Sequence, residues 1–172
     1  PQFKMDLLPL LNLASMLVRT SRRPVRVVLA GAADNGAYAR FVQDRVRALG
    51  LSDTVRFVLD ASDRDKQGLF RIADAFLSLS DNLQETFGLT PVEAMAAGLP
   101  AVISDWNGYR DTIRNGVDGI TVPTYSAPPG AGEILARRFL AEADNYDRYI
   151  GQASLCTAVD VRALSDAMTA LV

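Results

Sequence analysis

Residues 75–105 read AFLSLSDNLQETFGLTPVEAMAAGLPAVISD, and the fold turns on how this stretch is read. It opens with a short apolar run, AFLSLS (75–80), and closes with another, PAVIS (100–104). Runs of that length, bounded by turn residues, read as buried strands. Between them an apolar FGL meets Thr90, Pro91 and Glu93. The order Thr-Pro-x-Glu starts a helix: Thr caps it, Pro suits the first helical position, and Glu three residues after the cap completes a capping box. PVEAMAA carries the helix on. Strand, turn, helix and strand in that order make a βαβ unit with parallel strands.

The same alternation extends outward. VRVVLAG (25–31), TVRFVLD (54–60) and GITVP (119–123) read as further strands. Tyr38, Phe41, Val42, Val46 and Leu49 recur at helical spacing and stop at Gly50. Leu69, Phe70, Ile72 and Ala73 make a shorter helix. MDLLPLLNLASMLV (5–18) is apolar nearly all round, as a buried helix is, with Pro9 tolerable in its first turn. At the other end Asp160 caps a helix carrying Val161, Leu164, Met168 and Leu171 on one face. TYSAPPGAG (124–132) reads as a loop. The expected class is α/β, a Rossmann-like parallel sheet with helices on both faces, in a single domain over residues 1–172.

Composition removes several functions. The chain has 172 residues, a formal net charge of −2 and one cysteine, Cys156. No apolar run approaches the roughly 20 residues of a membrane-spanning helix, and nothing at the start resembles a signal peptide. A lone cysteine supports no internal disulfide framework, so the expected location is the cytoplasm. Basic residues are scattered, which argues against a nucleic-acid partner. Histidine is absent, removing the usual general base and the commonest zinc ligand. Chemistry falls to carboxylates, Lys or Arg, hydroxyls and backbone amides.

In an open α/β sheet the ligand lies beyond the carboxyl ends of the strands, which singles out three loops. GAADNGAY (31–38) places Gly31 and Gly36 at P-loop spacing, but Ala37 and Tyr38 stand where Lys and Ser/Thr must follow. It fails as a dinucleotide fingerprint as well, with Ala33 in place of the second glycine. DRD (63–65) has the look of a metal-binding Asp-x-Asp. Ser62 and Asp63, however, stand where a helix is capped, and no metal site is assigned. The third loop holds Glu85 and Glu93, separated by TFGLTPV. A helix start preceded by Gly88 gathers free amides that attract phosphate. Glu85, too far from the cap to serve it, suits a sugar hydroxyl.

These residues, with EAMAAGLPAVISD and NGVDGITVP further on, resemble the donor-binding half of a GT-B retaining glycosyltransferase of family 4, the glycosyl transferases group 1. The resemblance runs from about Lys4 to Pro123 and resumes at VDVRALSDAM (159–168); residues 124–158 have no counterpart in it and read as a local elaboration. It implies that Glu85 contacts hydroxyls of the donor sugar and that the amides of Phe87, Gly88, Leu89 and Thr90 hold sugar and diphosphate. It further implies that Glu93 bonds the ribose, Leu59 lines the base and Lys4 neutralises the leaving diphosphate. Thr86 departs from the family's usual glycine.

The implied enzyme is a hexosyl-type transferase without metal or other cofactor. Its donor substrate is a nucleotide-diphosphate sugar, and its acceptor is a glycan or lipid held by an amino-terminal domain absent from this chain. The fragment alone is expected to be inactive, and peripheral membrane association is compatible with the full-length enzyme. The family also has a strand ahead of Lys4, central in the sheet, so an anomaly is expected there. A non-catalytic nucleotide-binding module derived from the same fold is the alternative, which loss of Lys4, Glu85 or the FGL turn would mark; none is lost. A sugar-nucleotide 2-epimerase of the same fold is disfavoured by the absent histidine, and an NAD-binding Rossmann protein by the failed glycine fingerprint.

Overall fold

A computed structural model describes residues 6–33 and 36–171. The strands are β1 Val27–Gly31, β2 Val55–Leu59, β3 Phe76–Ser78, β4 Ala101–Asp105, β5 Gly119–Ser126 and β6 Thr157–Val159. The helices are α1 Leu8–Thr20, α2 Gly36–Ala48, α3 Asp63–Ile72, α4 Leu89–Ala96, α5 Glu133–Leu140, α6 Tyr146–Ser154 and α7 Val161–Leu171. A 3-10 turn, Asn107–Asp111, follows β4.

Each βα connection read from the sequence is present. β1 pairs in parallel with β2, from Val27 opposite Val55 to Gly31 opposite Leu59. β3, β4 and β5 run parallel in register, with Phe76 opposite Ala101 and Ala101 opposite Gly119. Local chemistry sets the helix ends. Pro9 falls in the first turn of α1, where its missing N–H leaves no gap in the hydrogen-bond ladder. The Oγ of Ser62 accepts from the Asp65 amide at 3.2 Å, and the Asp65 carboxylate accepts from the Ser62 amide at 3.1 Å, a reciprocal capping box. Asp160 takes the amides of Arg162 and Ala163 at 2.9 and 3.0 Å.

The strands alternate their side chains between two packed faces, as a sheet covered on both sides must. Val102 of β4 points to a core of Leu13 and Leu17 from α1, Leu79, Val122, and Leu164 and Ala167 from α7. Ala101 and Ile103 point the other way, against Tyr109, Ile113 and Met95 of α4. A separate core of Leu11 and Ala14 from α1 with Val42, Val46, Leu51 and Val55 lies under β1 and β2.

The sheet is interrupted. Among the described residues β1–β2 and β3–β4–β5–β6 are separate ladders, and none joins β1 to β3. α1 bridges them, sending Leu11 and Ala14 into one core and Leu13 and Leu17 into the other. A second departure lies in 124–132. β5 does not stop at Pro123 but continues through Thr124, Tyr125 and Ser126, which pair antiparallel with Val159, Ala158 and Thr157. Thr and Tyr are good strand residues, and the short β6 supplies the ladder partners that no nearby sequence could.

Candidate functional site

The loops after β1 and β2 leave the carboxyl ends of one parallel ladder, and those after β3 and β4 the carboxyl ends of another, the position at which ligands of open α/β sheets lie. Loop 81–88 leaves β3 and turns into α4 through Gly88, which stands at φ 81° and ψ 66° as the N-cap. That left-handed conformation is strained for any residue with a Cβ. It starts the helix earlier than the sequence reading allows: Leu89 and Thr90 are already in α4 and no side chain caps it. The capping box of Thr90 and Glu93 therefore does not form. Instead Glu93 Oε1 lies 3.0 Å from Lys66 Nζ of α3, which is also 3.6 Å from Asp63. With no cap and with Pro91 lacking an N–H, the open end of α4 presents the amides of Leu89 and Thr90.

The other candidates lie on three different elements. Glu85 is half-buried, while Phe87, Leu89 and Thr90 are exposed. Leu59, at the end of β2, keeps 45% of its surface exposed, ample for a planar group to rest on. Glu93 lies with Lys66, Gln67, Phe70 and Arg71 along an α3–α4 groove of about 640 Å³. Lys4 lies outside the described residues. Asp63 and Asp65, considered above for a metal, are committed to Lys66 and to the Ser62 cap.

A support for the loop went unread in the sequence. The segment after β4 forms a shelf beneath it: Trp106 Nε1 donates to Asn82 O at 3.0 Å, Asn107 Nδ2 to Leu83 O at 2.8 Å, and Gly108 N to Glu85 O at 3.2 Å. Gly108 lies so close under Thr86 that a Cβ there would overlap the Thr86 carbonyl. Tyr109 lies under Gly88, where a Cβ on the glycine would overlap the phenol ring. Its hydroxyl is 2.8 Å from Ser78 Oγ. Burial pushes the Tyr109 hydroxyl up to about 12, with the Ser78 hydrogen bond pulling against it and the Glu85 charge adding to it. Asp81, also buried in large part, is pushed up to about 6, its own amide opposing and the charge of Asp6 reinforcing the shift. The signal available in sequence was positional: DWNGYRD follows a parallel strand just as the other three loops do.

The arrangement offers Glu85 on the loop before α4, Glu93 in its second turn, and between them in sequence a helix start that no side chain caps. Such an end attracts phosphate, and carboxylates accept from hydroxyls. The chemistry suited to it is recognition of a phosphorylated, polyhydroxylated ligand.

The family model for glycosyl transferases group 1 matches residues 6–153, a span that takes in most of 124–158, which the resemblance had left without a counterpart. The chain is 33% identical over 117 residues to a GDP-mannose:cellobiosyl-diphosphopolyprenol alpha-mannosyltransferase of Komagataeibacter xylinus, covering 68% of this chain and 29% of that protein. A crystal structure of Anabaena Alr3699/HepE in complex with UDP-glucose superposes with a TM-score of 0.57 at 20% identity, over 97% of this chain and 46% of that one. The carboxyl-terminal domain of a glycosyl transferase group 1 family protein from Francisella tularensis superposes with a TM-score of 0.54 at 19% identity, over 85% of this chain and 73% of that one. This chain thus spans about three-tenths of the Komagataeibacter relative and under half of the Anabaena structure. Its architecture is that of the Rossmann-like carboxyl-terminal half of GT-B glycosyltransferases, and with the family match running across most of its length, the chain belongs to the glycosyl transferases group 1 family.

Proposed function

We propose that this chain is the donor-binding domain of a retaining, metal-independent hexosyltransferase of the cytoplasm. Its donor is a nucleotide-diphosphate sugar, and its acceptor is a glycan or lipid held by an amino-terminal domain of the whole protein. The observation that supports this best is the uncapped start of α4 at Gly88, with Glu85 on the loop before it and Glu93 on the helix after it. The donor then lies along the carboxyl edge of the sheet. Its diphosphate and sugar meet the amides of Phe87, Gly88, Leu89 and Thr90, its ribose meets Glu93, and its base rests on Leu59. Glu85 accepts hydrogen bonds from sugar hydroxyls. A mannosyltransferase relative and a neighbour that holds UDP-glucose support a nucleotide sugar as the ligand class.

Sugar transfer from such a donor builds positive charge on the anomeric carbon and negative charge on the departing diphosphate. Fixed amides and the positive end of a helix stabilise the anion without reorganising as it forms. Lys4 adds a positive charge to the same group. Removing one such donor typically costs on the order of 10²-fold in rate. The acceptor attacks from across the cleft, so the domain alone binds donor without turning it over.

A thermal-shift screen of UDP-, GDP-, ADP- and TDP-sugars identifies the nucleotide, since a ligand at 100 times its Kd stabilises by about 2.7 kcal/mol. Glu85→Ala should then weaken the intact nucleotide sugar while leaving the bare nucleoside diphosphate unchanged or tighter. A charged hydrogen bond to the sugar is worth roughly 1.5 to 3 kcal/mol. Equal weakening of both ligands would place Glu85 in loop support and overturn this division of the donor.

A further inference from the structure

We propose that Trp106 and Asn107 are positioning residues for Glu85: their side-chain N–H groups hold the turn 82–85 in the conformation that presents Glu85 to the donor sugar. The inference rests on the reading of Glu85 as the sugar-facing carboxylate.

The backbone ladder between β3 and β4 ends with Ser78 opposite Ile103. Beyond it, side chains keep the two segments joined. Ser104 Oγ donates to Ser80 O at 2.5 Å, Trp106 Nε1 to Asn82 O at 3.0 Å and Asn107 Nδ2 to Leu83 O at 2.8 Å, each pair 24 residues apart in sequence. The constant offset carries the pairing of the parallel strands onward into the donor loop. Backbone amides do not serve at Trp106, whose N–H donates to Ser104 O at 2.9 Å, and a 3-10 turn begins at Asn107. Side-chain donors take over from that point.

What they hold is the turn that carries Glu85. Asn82 is 4% exposed, and its carbonyl accepts from the Glu85 amide at 3.2 Å as well as from the Trp106 indole. Its Oδ1 accepts from the Gln84 amide at 2.7 Å. Glu85 O in turn accepts from Gly108 N at 3.2 Å, so both polar backbone groups of Glu85 are tied to this segment, one directly and one through Asn82 O. An indole N–H and an amide NH₂ donate and a carbonyl accepts, which fixes the direction of each bond. Leu83 and Gln84 at the tip of the turn are exposed. A carboxylate whose backbone the ligand must order gives up part of the binding free energy to that ordering, and a turn already held removes the loss. The amides proposed for the diphosphate begin at Phe87, past this turn, so its order bears on the sugar and not on the bare nucleotide.

The test uses the full chain with four bare and sugar-linked pairs: UDP and UDP-glucose, GDP and GDP-mannose, ADP and ADP-glucose, TDP and TDP-glucose. Calorimetric titration of the pair that binds gives, for each variant, the preference for the sugar-linked member. Trp106→Phe keeps an aromatic ring and drops the indole N–H. Asn107 stands at φ 45°, which glycine adopts freely, so Asn107→Gly removes the Nδ2 donor without forcing the backbone. Each should reduce the preference about three- to tenfold, the worth of about one hydrogen bond, with the bare nucleotide unchanged. In the Glu85→Ala background neither should have a further effect, because nothing is left to position; residues that act through one another are non-additive in this way. Should Trp106→Phe fail to fold, Asn107→Gly, an exposed position, decides alone.

If Glu85→Ala leaves the preference intact, or no pair binds, the reading of the site fails and the inference falls with it. If Glu85→Ala lowers the preference and neither Trp106→Phe nor Asn107→Gly does, the site stands and the inference alone is overturned. A loss in only one of the two variants overturns it for the other residue. Equal weakening of both ligands, or an undiminished effect in the Glu85→Ala background, assigns the pair to general loop support and overturns it too.

Discussion

Lys66 Nζ stands 3.0 Å from Glu93 Oε1, joining α3 to the second turn of α4 across the groove between the two helices. Both side chains are partly exposed, and ion pairs of that kind contribute only about 0.2–1 kcal/mol to stability. The pair's consequence lies in binding. Glu93→Gln should weaken a nucleoside diphosphate several-fold while barely touching its 2′-deoxy counterpart, with melting within about 2 °C of the parent. Lys66→Met should produce a smaller loss of the same kind by freeing the carboxylate to turn away. Ribo- and deoxyribonucleotide affinities that fall together in Glu93→Gln would remove Glu93 from the ribose.

That pair also shows where sequence reading stops. Thr90, Pro91 and Glu93 have the spacing of a capping box, and nothing local contradicts it. The conformation of Gly88 starts the helix early, and Lys66, from a different element, takes the carboxylate. Both depend on tertiary placement, which a local pattern does not encode. The same is true of Tyr109, whose partner Ser78 is a strand away, and of β5, whose last three residues need β6 to become strand. By contrast, the Ser62 and Asp160 caps, the parallel strands and the Glu85–Gly88 loop are written in neighbouring residues. Those were legible for that reason.

Metal dependence gives a second prediction. In the proposed site the diphosphate charge is met by amides, the α4 dipole and Lys4, while Asp65 is bound into the Ser62 cap and Asp63 lies 3.6 Å from Lys66. A chelator should therefore leave donor affinity unchanged, and added Mg²⁺ or Mn²⁺ should not raise it beyond the effect of ionic strength. Binding that is abolished by chelator and restored by one of these cations would contradict the proposal and bring Asp63 and Asp65 back as ligands.

Asp81 supplies a pH signature. Folding raises its carboxyl from the usual 3.8 to about 6, mainly through burial, with Asp6 adding to it. Because the folded value is the higher one, the stability associated with the neutral form is fully present below about pH 4 and is lost as pH rises through about 6. Asp81→Asn keeps the neutral shape at every pH. It should match the parent near pH 4 and melt higher at pH 8, by about 1 kcal/mol once partial exposure is discounted, or about 2–4 °C for a chain of this size. A difference that stays constant from pH 4 to 8 would mean the ionised carboxylate is held by partners as well as the neutral one.

Two glycines separate backbone strain from overlap. Gly88 and Gly98 have nearly the same left-handed φ, 81° and 84°, but a Cβ at Gly98 would meet nothing within 4 Å while one at Gly88 would run into the Tyr109 ring. Gly98→Ala should thus cost only the conformational term, roughly 1–2 kcal/mol. Gly88→Ala carries that term and must also move Tyr109 or the loop, adding about 1–3 kcal/mol for overpacking. Thermal melts of the two variants under one condition read the difference directly, and Gly88→Ala should melt lower by several degrees. By moving the amides at the start of α4, Gly88→Ala should also lose affinity for the nucleotide sugar while Gly98→Ala keeps it. Equal melting of the two variants would mean that the Tyr109 ring does not press on Gly88 in solution.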